Sequence, residues 1–292
     1  SMSHFKRPST RRFPRIQGHR GTPFLEPENS LEGFSRAADI GADSVELDVF
    51  TTADGIPVVF HGGAAPKELQ DEMRRTHPDK DPNDLLVGEL GNLTARKGNI
   101  ESLTLETMKT VELKPEGFVC PSDRVNGVKI PTLEEALSLI RKRNLHVTVE
   151  LKGLSTPKPV VHLLRKMGMV EEVTVSSFTW PLLVEAKALE PALQTAVLFV
   201  DPGEDCVAIA MKYKASEIHL RFDTVTKDVV NEAHAHGLNI MAWFRSPHTM
   251  KEEEKFFDHL IHAGVDTICT NVPDKLAQLK LTHGLLRHSS RL

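Results

Sequence analysis

The chain has 292 residues, 40% of them hydrophobic and 26% charged, which excludes a disordered or fibrous protein and allows one large core or two modest ones. Its 36 basic and 40 acidic residues leave a net charge of -4, so no overall basic field points to nucleic acid as a partner. No window approaches the roughly 20 apolar residues that a membrane-spanning helix requires, so no transmembrane segment is expected.

The opening segment, SMSHFKRPSTRRFPR, holds five basic residues and no acidic one, and residues 1–14 read as a flexible basic tail. A truncated transit segment is the alternative, which would imply an organelle. From Arg15 onward, short apolar runs alternate with amphipathic ones. RIQGH (15–19) reads as a strand, NSLEGFSRAADI (29–40) as a helix, and SVELDVF (44–50) and PVVFH (57–61) as strands. Asp54-Gly55 is a two-residue hairpin signal; with that turn, paired residue numbers sum to 109 and His61 stands opposite Asp48. Residues 57–61 then form a returning strand rather than a parallel one. The stretch 62–103 is polar, contains Pro66, Pro78 and Pro82, and has helical periodicity only near 66–76. It reads as an insertion over one end of the fold.

Beyond it the alternation resumes, with helices predicted over 132–143, 158–168, 180–189, 203–213, 225–237 and 248–264. Strands are predicted over 146–152, 172–178, 194–200, 216–220, 239–244 and 266–270. Thr132 and Glu135 form a capping-box pattern, and Gly41, Gly168, Gly237 and Gly264 stand where helices should end. This order predicts a (β/α)₈ barrel, an α/β fold in one domain over 15–279, followed by a C-terminal tail over 280–292. An open doubly wound sheet is the alternative, but no G-x-G-x-x-G follows an early strand. Cys120, Cys206 and Cys269 are far apart and form no metal-type pair, which suits core positions and a reducing, cytoplasmic compartment.

Glu46 and Asp48, two apart on a strand, point to one face. Such a pair can lie on a solvated edge, or at a barrel mouth where a divalent cation relieves its repulsion; oxygen ligands favour Mg²⁺ or Ca²⁺ over zinc. Further chemistry-bearing residues end other strands: His19 and Arg20 after the first, Glu150 and Lys152 on a later one. Those positions form the active mouth of a barrel.

HRG (19–21), PENS (27–30), ELD (46–48), TADG (52–55), His61, ELK (150–152), SSF (176–178), Trp243 and TNVPDKL (270–276) together resemble the glycerophosphodiester phosphodiesterase family. The resemblance spans residues 15 to about 279. It implies a TIM barrel of the phosphoinositide-phospholipase-C-like type, hydrolysing a small-molecule glycerophosphodiester to sn-glycerol 3-phosphate and an alcohol through a cyclic phosphate. It further implies that Glu46, Asp48 and Glu150 ligate Mg²⁺ or Ca²⁺, with Glu28 in or near that shell. His19 and His61 are the implied acid/base pair, Arg20 and Lys152 the implied phosphate ligands, and Trp243 the implied contact for the alcohol moiety. The family usually has His-Asp where this sequence has His61-Gly62. A lysophospholipase D and a catalytically impaired phosphate-binding barrel are the alternatives.

Other polar residues have plainer readings. Asn29, three before Glu32, fits an N-cap. His234 and His236 diverge on a predicted helix and read as solvated, and His248, His259 and His262 carry no expected chemistry. KEEEK (251–255) reads as a solvated helix face, and Trp180, Leu182, Leu183 and Val184 as a core-facing helix rather than a lipid site.

Overall fold

The computed structural model describes residues 13–63, 67–76, 78, 88–200, 205–249 and 252–289; nearly all of the basic tail lies outside them. In chain order the elements are β1 (Arg15–His19), α1 (Leu31–Asp39), β2 (Ser44–Thr51), β3 (Pro57–Val59), α2 (Lys67–Thr76), α3 (Leu105–Met108), α4 (Leu133–Lys142) and β4 (His146–Leu151). There follow α5 (Pro157–Met167), β5 (Val173–Ser177), α6 (Trp180–Leu189), β6 (Gln194–Phe199), α7 (Cys206–Lys212), β7 (Glu217–Arg221), α8 (Lys227–Ala235), β8 (Asn239–Trp243), α9 (Glu254–Ala263), β9 (Thr267–Thr270) and α10 (Pro273–Ser289).

All these strands except β3 are parallel to their neighbours, and pairing of β1 with both β2 and β9 closes an eight-stranded barrel. Helices surround it, so the predicted architecture is the observed one. Val45, Leu47 and Val49 face outward into the main core with Phe34, Leu133 and Leu137. The inward side near the N-terminal end is polar: Gln17 Nε2 donates to Ser44 (2.8 Å) and Thr148 (3.0 Å), and Glu217 accepts from Thr174 (3.0 Å) and lies 3.1 Å from His219. Mutual hydrogen bonds make such burial tolerable.

The hairpin differs from its sequence expectation. Val49 pairs with Val59 and Phe50 with Val58, so the register sums to 108, and the Phe60 amide donates to the Asp48 carbonyl at 3.0 Å. Phe60, not His61, stands opposite Asp48. The turn is longer than Asp54-Gly55 suggested, because Thr52 N donates to Ile56 O and Gly55 N to Thr52 O, both at 2.9 Å, with Gly55 at φ 79. That is a three-residue loop ending in a left-handed residue. Asp54 accepts from the Thr52 hydroxyl within the turn at 2.6 Å and from the Leu105 amide at 2.9 Å.

Beyond the end of β1, the overhanging part of β2 pairs with β3, and this ledge carries a second core. Phe50, Val58 and Phe60 pack there against Leu90 and Ile100 of the inserted segment and Met108 of α3. The four glycines at expected helix ends all have positive φ, and Gly168 and Gly264 are left-handed C-caps. Thr132 accepts from the Glu135 amide, as its capping pattern predicted. Neither α3 nor α10 was read from the sequence. α10 runs through residue 279 to Ser289, and its His283 ring meets Phe13 edge-on at 5.6 Å. Among the described residues no helix is long and apolar enough to cross a membrane.

Phe50 is fully buried between barrel and insertion. Phe50→Ala is therefore expected to lower stability by about 3–5 kcal/mol, read as a drop in the urea midpoint.

Candidate active site and metal centre

Parallel register brings the charged strand ends together: His19 pairs with Glu46, and Asp48 with Glu150. One oxygen from each of Glu46, Asp48 and Glu150 lies within 4.8 Å of the others, and these residues are 6%, 1% and 6% exposed. The solvated-edge alternative for Glu46 and Asp48 is thereby excluded. Lys152 Nζ lies 2.5 Å from Glu150 and 3.7 Å from Asp48. Arg20 reaches Glu28 at 3.0 Å and Asp48 at 3.6 Å, while its backbone N–H donates to Glu46 at 3.1 Å.

This convergence requires an unusual backbone. Arg20 and Asn29 have φ of 56 and 54, left-handed values that a non-glycine residue holds at a cost of roughly 1–3 kcal/mol. The Asn29 amide donates to the Arg20 carbonyl at 2.9 Å, tying the two turns together. A Cβ on Gly18 would lie 2.1 Å from the Gly21 carbonyl oxygen, so the turn that presents His19 and Arg20 needs glycine there. Asn29 is not the helix cap: Ser30 accepts from Gly33 N at 3.0 Å, leaving Asn29 to donate to Asp48 at 3.0 Å.

Burial and the charges of Asp48 and Glu150 push the Glu46 carboxyl well above its usual range. Burial, opposed by Lys152, pushes Glu150 up to about 8. Burial would raise Asp48 too, but Lys152, His61 and Arg20 outweigh it and hold Asp48 well below the usual range. Glu28 and the three clustered carboxylates thus face two fixed cations, Arg20 and Lys152. The negative excess, and the all-oxygen donor set, fit a divalent ion on Glu46, Asp48 and Glu150. Glu28 is not one of the three clustered carboxylates; it bonds Arg20, and its other oxygen lies 3.5 Å from His248. His248, which carried no expected chemistry, therefore reaches the site.

Two imidazoles border the cluster. Burial and Arg20 lower His19 to about 4, and burial, Arg20 and Lys152 lower His61 to about 3. His19 Nδ1 is 2.8 Å from Asn271 Oδ1, and Nε2 is 3.8 Å from Glu46. His61 Nδ1 is 2.9 Å from the Gly62 carbonyl. Gly62 has φ 75, and its carbonyl oxygen is the hydrogen-bond partner of this ring.

The site opens into a cavity of about 280 Å³ whose apolar side includes Phe178, Leu198, Met241 and Trp243. Trp243 meets Phe178 edge-on at 5.6 Å, and Lys152 lies 5.7 Å from the Phe178 ring centre. A second cavity of about 530 Å³, bordered by Glu89 and Leu90 of the insertion and by Lys114 and Glu116 beyond it, touches Arg20, His61 and Ser246, which also line the first.

Elsewhere, His234 bonds Asp266 at 2.8 Å rather than lying solvated, whereas His236 is exposed. Glu253 is 2% exposed, contrary to its reading as part of a solvated face, because α9 starts only at Glu254; Lys251 lies outside the described residues. Trp180 donates to the Leu198 carbonyl at 3.0 Å, and Leu182 and Leu183 are buried in the core while Val184 is exposed. From the sequence Asn271 is assigned no role, and its one signal there is that it is a polar residue directly after the end of β9.

A family model described as the glycerophosphoryl diester phosphodiesterase family matches residues 19–275. The chain is 27% identical over 273 residues to a glycerophosphodiester phosphodiesterase of Caldanaerobacter subterraneus, covering 90% of this chain and 96% of the relative. It is 27% identical over 274 residues to one of Bacillus altitudinis, covering 91% and 98%. A solved Oleispira antarctica phosphodiesterase, in complex with the product sn-glycerol-3-phosphate, superposes with TM-score 0.72 at 22% identity, covering 91% of this chain and 96% of that one, a likeness of fold.

Burial would raise Glu28, but Arg20 and His248 outweigh it and hold its carboxyl at about 2, below the ordinary 4.5. A depressed carboxyl contributes stability that is present above pH 4.5 and lost as pH falls toward 2. Between pH 5 and 3, urea unfolding should therefore show wild type losing more stability than Glu28→Gln, the difference approaching the order of 3 kcal/mol as pH falls further.

Proposed function

We propose, from the premise that this chain belongs to the glycerophosphoryl diester phosphodiesterase family, that it hydrolyses glycerophosphodiesters to sn-glycerol 3-phosphate and an alcohol. The observation that carries this reading is the convergence of three buried carboxylates, two cations and two imidazoles on one cavity. That set matches what a phosphodiester demands: charge neutralisation, a proton acceptor and a proton donor.

Glu46, Asp48 and Glu150 would hold Mg²⁺ or Ca²⁺, and Glu28 would act beside them by fixing Arg20. The cation, when bound, supplies charge neutralisation at a non-bridging phosphate oxygen. Arg20 and Lys152 pair with the remaining phosphate charge. His19 has Nδ1 engaged with Asn271, so Nε2 is free to take the proton of the glycerol hydroxyl next to the ester. That oxygen attacks phosphorus, the bond to the alcohol breaks, and His61 protonates the departing oxygen. Water then opens the cyclic phosphate with the proton transfers reversed. The phosphate's own charge favours the protonated form of His61 that the first step needs. Trp243 and Phe178 pack against one side of the substrate, and the second cavity, bordered by His61, offers room for the other.

A second reading, lysophospholipase D activity, is favoured by apolar residues at the mouth. Val200 lines the cavity and is 42% exposed, and Leu154, 61% exposed, follows β4 at the same end of the barrel.

Glycerophosphocholine turnover should vanish with EDTA and return with Mg²⁺ or Ca²⁺; no turnover under any condition would leave an impaired phosphate-binding barrel. Lysophosphatidylcholine assayed in parallel separates the two substrate readings. His19→Ala and Glu46→Ala should each lower kcat by roughly 10²- to 10⁴-fold or more, and robust residual activity in either would refute the assignment.

A further inference from the structure

We infer that Glu253 is a positioning residue for His19, acting through Asn271; the inference deepens the reading of His19 as an acid/base group and rests on it. Glu253 is 2% exposed, although Glu252 and Glu254 on either side are exposed. A buried carboxylate is unfavourable unless its hydrogen bonds are made. Its Oε1 accepts from Thr270 Oγ1 at 2.9 Å and from the Asn271 backbone N–H at 3.0 Å. Thr270 Oγ1 in turn accepts from Val272 N at 3.0 Å, so one carboxyl oxygen braces the whole turn after β9.

The Asn271 carboxamide projects from that braced turn between two other strand ends. Its Nδ2 donates to the Arg245 carbonyl beyond β8 at 2.8 Å. Its Oδ1 lies 2.8 Å from His19 Nδ1 at the end of β1. A carbonyl oxygen accepts only, so Nδ2 must face Arg245 and Oδ1 must face the imidazole. His19 Nδ1 then carries the hydrogen, and the Nε2 lone pair faces Glu46 and the cavity. A flipped amide would set a donor against the ring and an acceptor against a carbonyl. By fixing the Asn271 backbone, Glu253 fixes which imidazole nitrogen is available.

The requirement on Glu253 is for an acceptor, not a charge. Burial pushes its carboxyl up to about 7, against the Asn271 and Thr270 hydrogen bonds that pull it down, and Oε2 has no hydrogen-bond partner among the described residues. Glutamine can place its amide oxygen at Oε1 and its NH₂ at the unpartnered position.

The experiment combines steady-state kinetics on glycerophosphocholine with long-range ¹H–¹⁵N spectra of the histidine rings, His19 being assigned by its loss in His19→Ala. Glu253→Ala should lower kcat about 10- to 100-fold with KM changed less than about twofold, since proton transfer by a positioned side chain contributes typically 10²–10⁴-fold. Glu253→Gln should stay within about threefold of wild type. The neutral His19 ring should carry its hydrogen on Nδ1 in wild type and Glu253→Gln, and on both nitrogens in exchange in Glu253→Ala. Asn271→Ala, which leaves Glu253 intact, should give the same tautomer mixture, and Glu253→Asp, whose shorter side chain withdraws the acceptor from Thr270 and Asn271, serves in place of Glu253→Ala if that variant does not fold. An unchanged kcat in Glu253→Ala, a lost kcat with the tautomer unchanged, or Glu253→Gln as impaired as Glu253→Ala would each overturn the inference. If His19→Ala keeps full activity, the catalytic reading falls while the tautomer spectra still decide whether Glu253 positions the ring.

Discussion

The mutual repulsion of Glu46, Asp48 and Glu150 is the constraint around which the mouth of the barrel is organised. Three carboxylates brought within 4.8 Å and buried cannot all ionise without compensation. The surroundings answer this in several ways: Lys152 against Glu150, Arg20 and Asn29 against Asp48, and the Arg20 amide against Glu46. The left-handed backbone at Arg20 and Asn29, and the glycine at 18, follow from this demand, because they aim donors into a narrow space. A divalent cation held by these three carboxylates would complete the neutralisation.

The same end of the barrel is extended on one side by the second core. β2 overhangs β1, pairs with β3, and offers Phe50, Val58 and Phe60 as a platform for the inserted segment. Burial of these side chains supplies the driving force that docks a polar stretch. Glu89, Leu90, Lys114 and Glu116 thereby line a cavity that meets the first at Arg20 and His61. Packing on the outer face of a hairpin thus shapes the space beside Arg20 and His61.

The histidines illustrate how environment separates identical side chains. His19 and His61 are desolvated beside Arg20, and both are lowered below the ordinary imidazole value. His234 is bonded to Asp266, and His248 touches Glu28 from a loop. His19, His234 and His248 are set by contacts from distant parts of the chain, whereas His61 bonds the carbonyl of its neighbour Gly62.

The sequence by itself determined the strand and helix alternation, the barrel, and the grouping of charged residues at strand ends, because those features depend on periods of two and 3.6 and on neighbours a few residues away. Glu46, Asp48, His19, Arg20, Glu150 and Lys152 were legible for that reason. Tertiary structure alone decided the rest. The hairpin register differs by one from its expectation because Thr52 and Ile56 close a three-residue loop, and Asp54 at its tip meets Leu105, 51 residues on. Asn29 left its expected cap for Asp48, and Glu253 left its expected solvated face for the turn after β9. Asn271 meets His19 across 252 residues only because closing the barrel makes β9 and β1 neighbours. A local pattern fixes which way a side chain points, but its partner depends on which strand lies beside it.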